Sequence, residues 1–151
     1  MQRLPSKDRI LEACRAAPGN GHPVLESAHL LAGLHARRLR TEPESAAAPA
    51  PFDDIDQHRA RLVLVIDRWI ATELPPAHGG ANMHTETVGA VIDRIARLSV
   101  FAHETLSNAP EWRVHDAWER LAELSLGYED LAAEVSVGFR RLPRPYPSSR
   151  T

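Results

Sequence analysis

Four polar residues, His84, Thr85, Glu86 and Thr87, stand at the entrance of a segment that then turns apolar at helical spacing. Within that segment Glu86 and Asp93 are seven residues apart, two helical turns, so their carboxylates share one side of a helix. Two carboxylates on one helix, facing an acidic neighbour, can hold a magnesium ion and present a diphosphate, as helical pyrophosphohydrolases do. A plainer reading makes Thr85 a helix cap, Glu86 an acid favoured by the helix dipole, and Asp93 with Arg97 a solvent-facing pair of i,i+4 type.

The triplet Ile92-Asp93-Arg94 repeats one that occurs earlier, Ile66-Asp67-Arg68. In both, the isoleucine belongs to an apolar stripe and the Asp-Arg pair to its margin. Asp56 and Asp67 share a side, and Arg59 is close to Asp56. Arginines and aspartates at the margins of neighbouring helices lace them together through two-pronged pairs, or line a groove for an anionic metabolite. Lacing is the simpler expectation.

Eight histidines are spread over the chain, and no two have the His-x-x-x-His spacing of a helical metal site. Glu26-x-x-His29 matches half of a di-iron motif, but no second Glu-x-x-His accompanies it. Each histidine is therefore read as an ordinary, partly buried residue, and no cofactor is expected unless the carboxylates take magnesium. No glycine-rich phosphate loop, Gly-x-Ser-x-Gly elbow or Cys-x-x-Cys is present. The lone Cys14 falls on an apolar face, a core position rather than a reactive thiol.

Five helices must position these residues. Ser6 caps a short one that ends at Pro18-Gly19-Asn20-Gly21, and Pro23 opens a second that runs to Arg40. Its inward residues are Val24, Leu25, Ala28, Leu31, Ala32 and Leu39. Residues 41–52 read as a flexible connection. A third helix then runs from Asp53 to Leu74, with Ile55, Leu62, Ile66, Trp69 and Ile70 on one face. Pro75-Pro76 stop it, and the fourth carries Val88, Val91, Ile92, Ile95, Leu98 and Ala102 inward.

The last helix is expected from Glu111 to Arg140, about 45 Å long at 1.5 Å per residue. Its seam comprises Val114, Trp118, Leu121, Ser125, Tyr128, Ala132, Val135 and Phe139. That length exceeds the needs of so small a bundle, and the surplus seam predicts a homo-oligomer, with a dimer favoured.

The fold class is thus all-α, a helical bundle of about five helices, three of them long. One domain spans 1–142, and 143–151 is a Pro-rich tail expected to be disordered. A net charge of -2 argues against nucleic acid, and no apolar run reaches the roughly 20 residues a bilayer requires. One cysteine and the lack of a signal-like N-terminus predict a cytoplasmic protein.

Asp54 to Leu106 resembles an uncharacterised bacterial family, domain of unknown function 4254. The resemblance rests on Arg59 with Ile66-Asp67, on Thr85-Glu86-Thr87-Val88-Gly89, and on Ile92-Asp93-Arg94-Ile95. Val88 stands where that family often has Pro, Ala60 where it has Asn, and its Tyr-Asn-rich extension is replaced by the Pro-rich tail, the marks of a divergent branch. The resemblance implies a helical cytoplasmic protein with no assigned activity, and it draws attention to Glu86, Gly89, Asp93 and Arg94.

Two functions are carried forward. The first is a self-associating structural or interaction module without chemistry of its own. The second is a magnesium-dependent enzyme or binding protein for a phosphorylated small metabolite. It would use Glu86, Asp93 and Asp67 on the metal and Arg59 and Arg94 on the anion, with Gly89 in the site. A chorismate-mutase-like enzyme rests on the Arg-rich third helix alone.

Overall fold

A computed structural model describes residues 2–41 and 52–145, with the side chain of Phe52 left aside. The loop expected at 41–52 lies almost wholly outside the described residues, as does the tail from 146 onward. Five helices follow one another: α1 (Lys7–Ala13), α2 (Pro23–Arg40), α3 (Phe52–Glu73), α4 (Val88–Asn108) and α5 (Glu111–Ser136). Two-residue strands, β1 (Asn82–Met83) and β2 (Arg140–Arg141), pair in parallel. The bundle expected from the sequence is present. Among the described residues this strand pair is the one addition to it.

Local chemistry sets the helix starts. The Ser6 hydroxyl accepts from the Arg9 N–H at 3.3 Å, capping α1. Gly21, at φ 70°, turns the chain, and Pro23 opens α2 while the His22 ring nitrogen accepts from Val24 N at 3.2 Å. The fourth helix is capped by Thr87 and not by Thr85, which lies two residues before that cap. The Thr87 hydroxyl accepts from Ala90 N at 3.2 Å, so the polar cluster precedes the helix rather than forming its first turn.

The core gathers one stripe from each helix. Ile10, Val24, Ala28, Leu31, Ile66, Val88, Ile92 and Ile95 have no exposed surface. At about 25 cal/mol per Å², burial on this scale dominates the stability of the bundle. Helix α4 is central and packs on α1, α2, α3 and α5.

Three assignments of face fail, two inward and one outward. Leu39 is exposed, because the buried face of α2 turns from Leu31 to Leu34 and His35 instead. Asp93, expected to face solvent beside Arg97, is buried. Helix α5 ends at Ser136 rather than Arg140, because Gly138 takes a left-handed φ of 79° and Phe139 N bonds back to Glu134 O at 2.8 Å. Phe139 consequently leaves the seam and is exposed. Of the rest of that seam, Leu121, Ser125, Tyr128, Ala132 and Val135 are buried within the chain, and Val114 and Trp118 are half-buried.

After that turn the chain runs alongside β1. His84 N donates to Arg141 O at 2.7 Å and His78 N to Gly138 O at 2.9 Å. The C-terminal segment is thereby drawn across the loop that precedes α4, beside the polar cluster.

Candidate functional site

On α3, Asp56, Arg59, Val63 and Asp67 recur at intervals of three and four and form one stripe beside the buried one. Opposite them stand Thr85 and Glu86 just before α4, its cap Thr87, and then Ala90 and Asp93 at steps of three. Where the two stripes face each other they enclose a cleft of about 600 Å³, walled by Pro143 and Arg144 at the C-terminal end. The cleft contains Arg59, Asp67, Glu86 and Asp93, four of the six positions nominated from the sequence. Gly89 lies behind its wall, and Arg94 lies outside it.

Asp93 anchors the cleft. Arg59 grips it with two bonds, Nε to Oδ1 at 3.2 Å and a terminal nitrogen to Oδ2 at 2.6 Å. A second carboxylate, Asp56, accepts from the other terminal nitrogen of Arg59 at 2.9 Å. From the other side His35 Nε2 lies 2.7 Å from Asp93 Oδ1. Burial alone would push the Asp93 carboxyl up, but the bonds and charges of His35 and Arg59 outweigh it and hold the group below the usual carboxylate range. Asp93 is therefore ionised, and His35 Nε2 carries the hydrogen it donates.

Asp67 has the opposite character. Only 7% of it is exposed, and its Oδ1 accepts from the Gly89 backbone N–H at 2.7 Å. Burial raises its pKa, with the Gly89 N–H and the Thr87 hydroxyl opposing. Among the described residues no cation pairs with it. Asp67 also borders a neighbouring cavity of about 410 Å³ under the C-terminal segment, lined by Leu74, Pro76, Arg140 and Arg144. The buried carboxylate thus stands where two hollows meet.

Gly89 makes that approach feasible. A Cβ there would lie 2.6 Å from the Val63 carbonyl oxygen and 2.7 Å from Asp67 Oδ1. No side chain fits between α3 and α4 at this level. Glu86 is half-exposed and bonds Arg94 at 2.6 Å on the surface. The sequence nominated Arg94 for an anion site, but this pairing turns it away from the cleft.

His35 was missed as a site residue. It had a signal: Val24, Ala28, Leu31 and His35 alternate four, three and four apart, so the ring belongs to the buried face and needs a buried partner. Among the described residues no group of three or more His, Cys, Asp or Glu could hold a metal ion. Burial pushes the Cys14 thiol up to about 12, which keeps it protonated and inert. Among the described residues no helix is long and apolar enough to cross a membrane.

The paired stripes of α3 and α4 are what the motifs shared with domain of unknown function 4254 encode. The profile described as Protein of unknown function (DUF4254) matches residues 34–143. The chain belongs to this family. In this DUF4254 protein the match takes in α3, α4, α5 and the last residues of α2, and hence His35 and every cleft residue up to Pro143. No curated protein and no solved structure matches the chain.

Proposed function

We propose that this DUF4254 protein is a binding module whose α3–α4 cleft takes a small polar ligand through a hydrogen-bond donor, an ammonium or a hydroxyl group. The observation that carries this reading is Asp67, a buried carboxylate with no cation of its own among the described residues. Placing an unpaired carboxylate at such depth is costly, and a donor supplied by a ligand offsets that cost. The surroundings fit a donor better than an anion. The lining carries Asp56, Asp67, Glu86 and Asp93 against Arg59 and Arg144, and Arg59 is already engaged by two of these acids.

The magnesium and phosphate alternative draws less from the geometry. Its three metal ligands have separate commitments: Asp93 to Arg59 and His35, Glu86 to Arg94, and Asp67 to the Gly89 N–H. Nothing in the cleft needs to be catalytic, because the Arg59–Asp93–His35 chain serves to hold the walls in place.

Thermal melting against a panel of small amines, amino sugars and polyols, with and without magnesium, tests the proposal. A ligand that binds the folded state raises the melting temperature by mass action. The expected result is a rise with at least one amine or polyol that disappears in Asp67→Asn, a variant that keeps an acceptor for Gly89 N–H. A flat panel at millimolar ligand, or a rise that survives Asp67→Asn, overturns it. A rise that needs both magnesium and a phosphorylated compound would install the alternative in its place.

A further inference from the structure

His35 borders a second hollow, away from the cleft. Helices α2, α4 and α5 enclose a groove of about 750 Å³ lined by His35, Leu39, Arg97, Phe101, Trp112 and Arg113, among others. We propose that this groove is a binding site for a small phosphate ester that carries an aromatic base, of the mononucleotide class, independent of the cleft and of its ligand.

Three observations converge on that chemistry. The first is aromatic surface. Trp112 is 67% exposed at the start of α5, and Phe101 and Leu39, also exposed, share the same lining. A planar base stacks on such a platform whatever its identity, because every base has a π-face. The second is charge. Arg38, Arg97, Arg113 and Arg120 line the groove, and among the described residues Asp116 is its one acid. Asp116 bonds Arg120 at 3.0 Å, and Arg38 bonds Asp56. Arg97 and Arg113 pair with no carboxylate among the described residues. Arg113 lies 5.6 Å from the centre of the Trp112 ring, so stacking surface and cation are adjacent.

The third is size and extent. The volume falls within the roughly 300–1,000 Å³ of small-molecule sites. A polymer is disfavoured: further along α5 the exposed residues include Glu119, Glu123, Glu129 and Asp130, which would repel a strand continuing past the groove. The overall charge of -2 adds no attraction. A single phosphate on a single base satisfies the arginines and the tryptophan without meeting that acidic surface. The floor is firm, because His35 is buried and tied to Asp93.

Calorimetric titration of the full chain at low ionic strength tests this, with adenosine 5′-monophosphate, adenosine and inorganic phosphate as separate probes. The nucleotide should bind saturably and each half of it alone roughly tenfold or more weakly, since stacking and charge act together. Replacing both Arg97 and Arg113 with Ala should lower nucleotide affinity at least about tenfold. Trp112→Ala should do the same while Trp112→Phe retains binding. Helicity should stay unchanged in all three, since these side chains project outward. Asp67→Asn should bind the nucleotide as the unaltered chain does, which separates this site from the cleft. No saturable uptake of any purine or pyrimidine mononucleotide at millimolar concentration overturns the proposal. So does equal affinity in the double arginine variant, or light scattering that shows a dimer dissociated by Trp112→Ala and indifferent to nucleotide.

Discussion

A methyl group added at position 89 would collide with two oxygens at once, the Val63 carbonyl and Asp67 Oδ1, both under 3.0 Å away. One of these is backbone and cannot swing aside, so Gly89→Ala should cost about 1–3 kcal/mol as α3 and α4 are forced apart. Urea unfolding measures this as a lowered midpoint at unchanged slope. The two buried acids should respond to pH in opposite directions. Asp93 has a folded pKa below its unfolded value, so its stabilisation is present above the ordinary carboxylate range and lost as pH falls through it. Asp67 is raised by burial, so its contribution improves as pH falls and it takes up a proton. Asp93→Ala should therefore cost about 2–4 kcal/mol at neutral pH, by leaving His35 without its acceptor and Arg59 with Asp56 alone, and should flatten the acid limb of the stability profile. Asp67→Asn should raise stability at pH 7, where it removes a buried charge, and lose that advantage as pH falls and Asp67 of the unaltered chain takes up its proton, as unfolding measured across pH 4 to 7 would report. Binding of an ammonium ligand in the cleft should strengthen as pH rises and Asp67 ionises. The types and spacing of these residues were legible in the sequence. Which acid had a counter-ion was not, because the partners of Asp93 are 34 and 58 residues away along the chain.

Helical periodicity made the elements legible wherever a stripe of large apolar side chains decides the matter, as in Ile55, Leu62, Ile66 and Ile70 of α3. It failed at ends, where one residue's backbone decides. Gly138 ends α5 by turning left-handed against Pro76, whose carbonyl oxygen would lie 3.0 Å from a Cβ at that position. No period announces such a contact. The consequence reaches the cleft, since the strand pairing of Arg140–Arg141 with Asn82–Met83 carries Pro143 and Arg144 to its wall. A chain truncated after Phe139 should keep its helical circular dichroism, because Arg140 to Arg144 add no helix. It should lose amide protection at His84, whose N–H donates to Arg141 O in the full chain, and hydrogen exchange would read that loss directly. Protection of His84 that persists after truncation would mean that the loop before α4 is held by something other than this segment.

Over the whole molecule the start of the described chain is held by its last helix. The Tyr128 hydroxyl donates to the Pro5 carbonyl at 2.6 Å, and Leu4 N donates to the Ser136 hydroxyl at 3.3 Å, so the segment before α1 is fastened to the last helix. Tyr128 is buried, and burial raises its pKa, so the hydroxyl keeps the proton it donates. The family match starts at residue 34, yet Ile10, Val24, Ala28 and Leu31, all without exposed surface, come before that point. A fragment restricted to 34–143 would open the core where these four side chains sit and uncover the apolar faces of α4 and α5. At about 1.5–3 kcal/mol for each large side chain, the loss rivals the 5–15 kcal/mol that typically holds a domain together. Such a fragment should therefore melt without a cooperative transition and bind apolar dyes, whereas the full chain should unfold in one step seen alike by circular dichroism and by tryptophan fluorescence. Cooperative melting of the fragment would show that α1 and the first half of α2 are an accessory layer, with the cleft resting on α3, α4 and α5 alone.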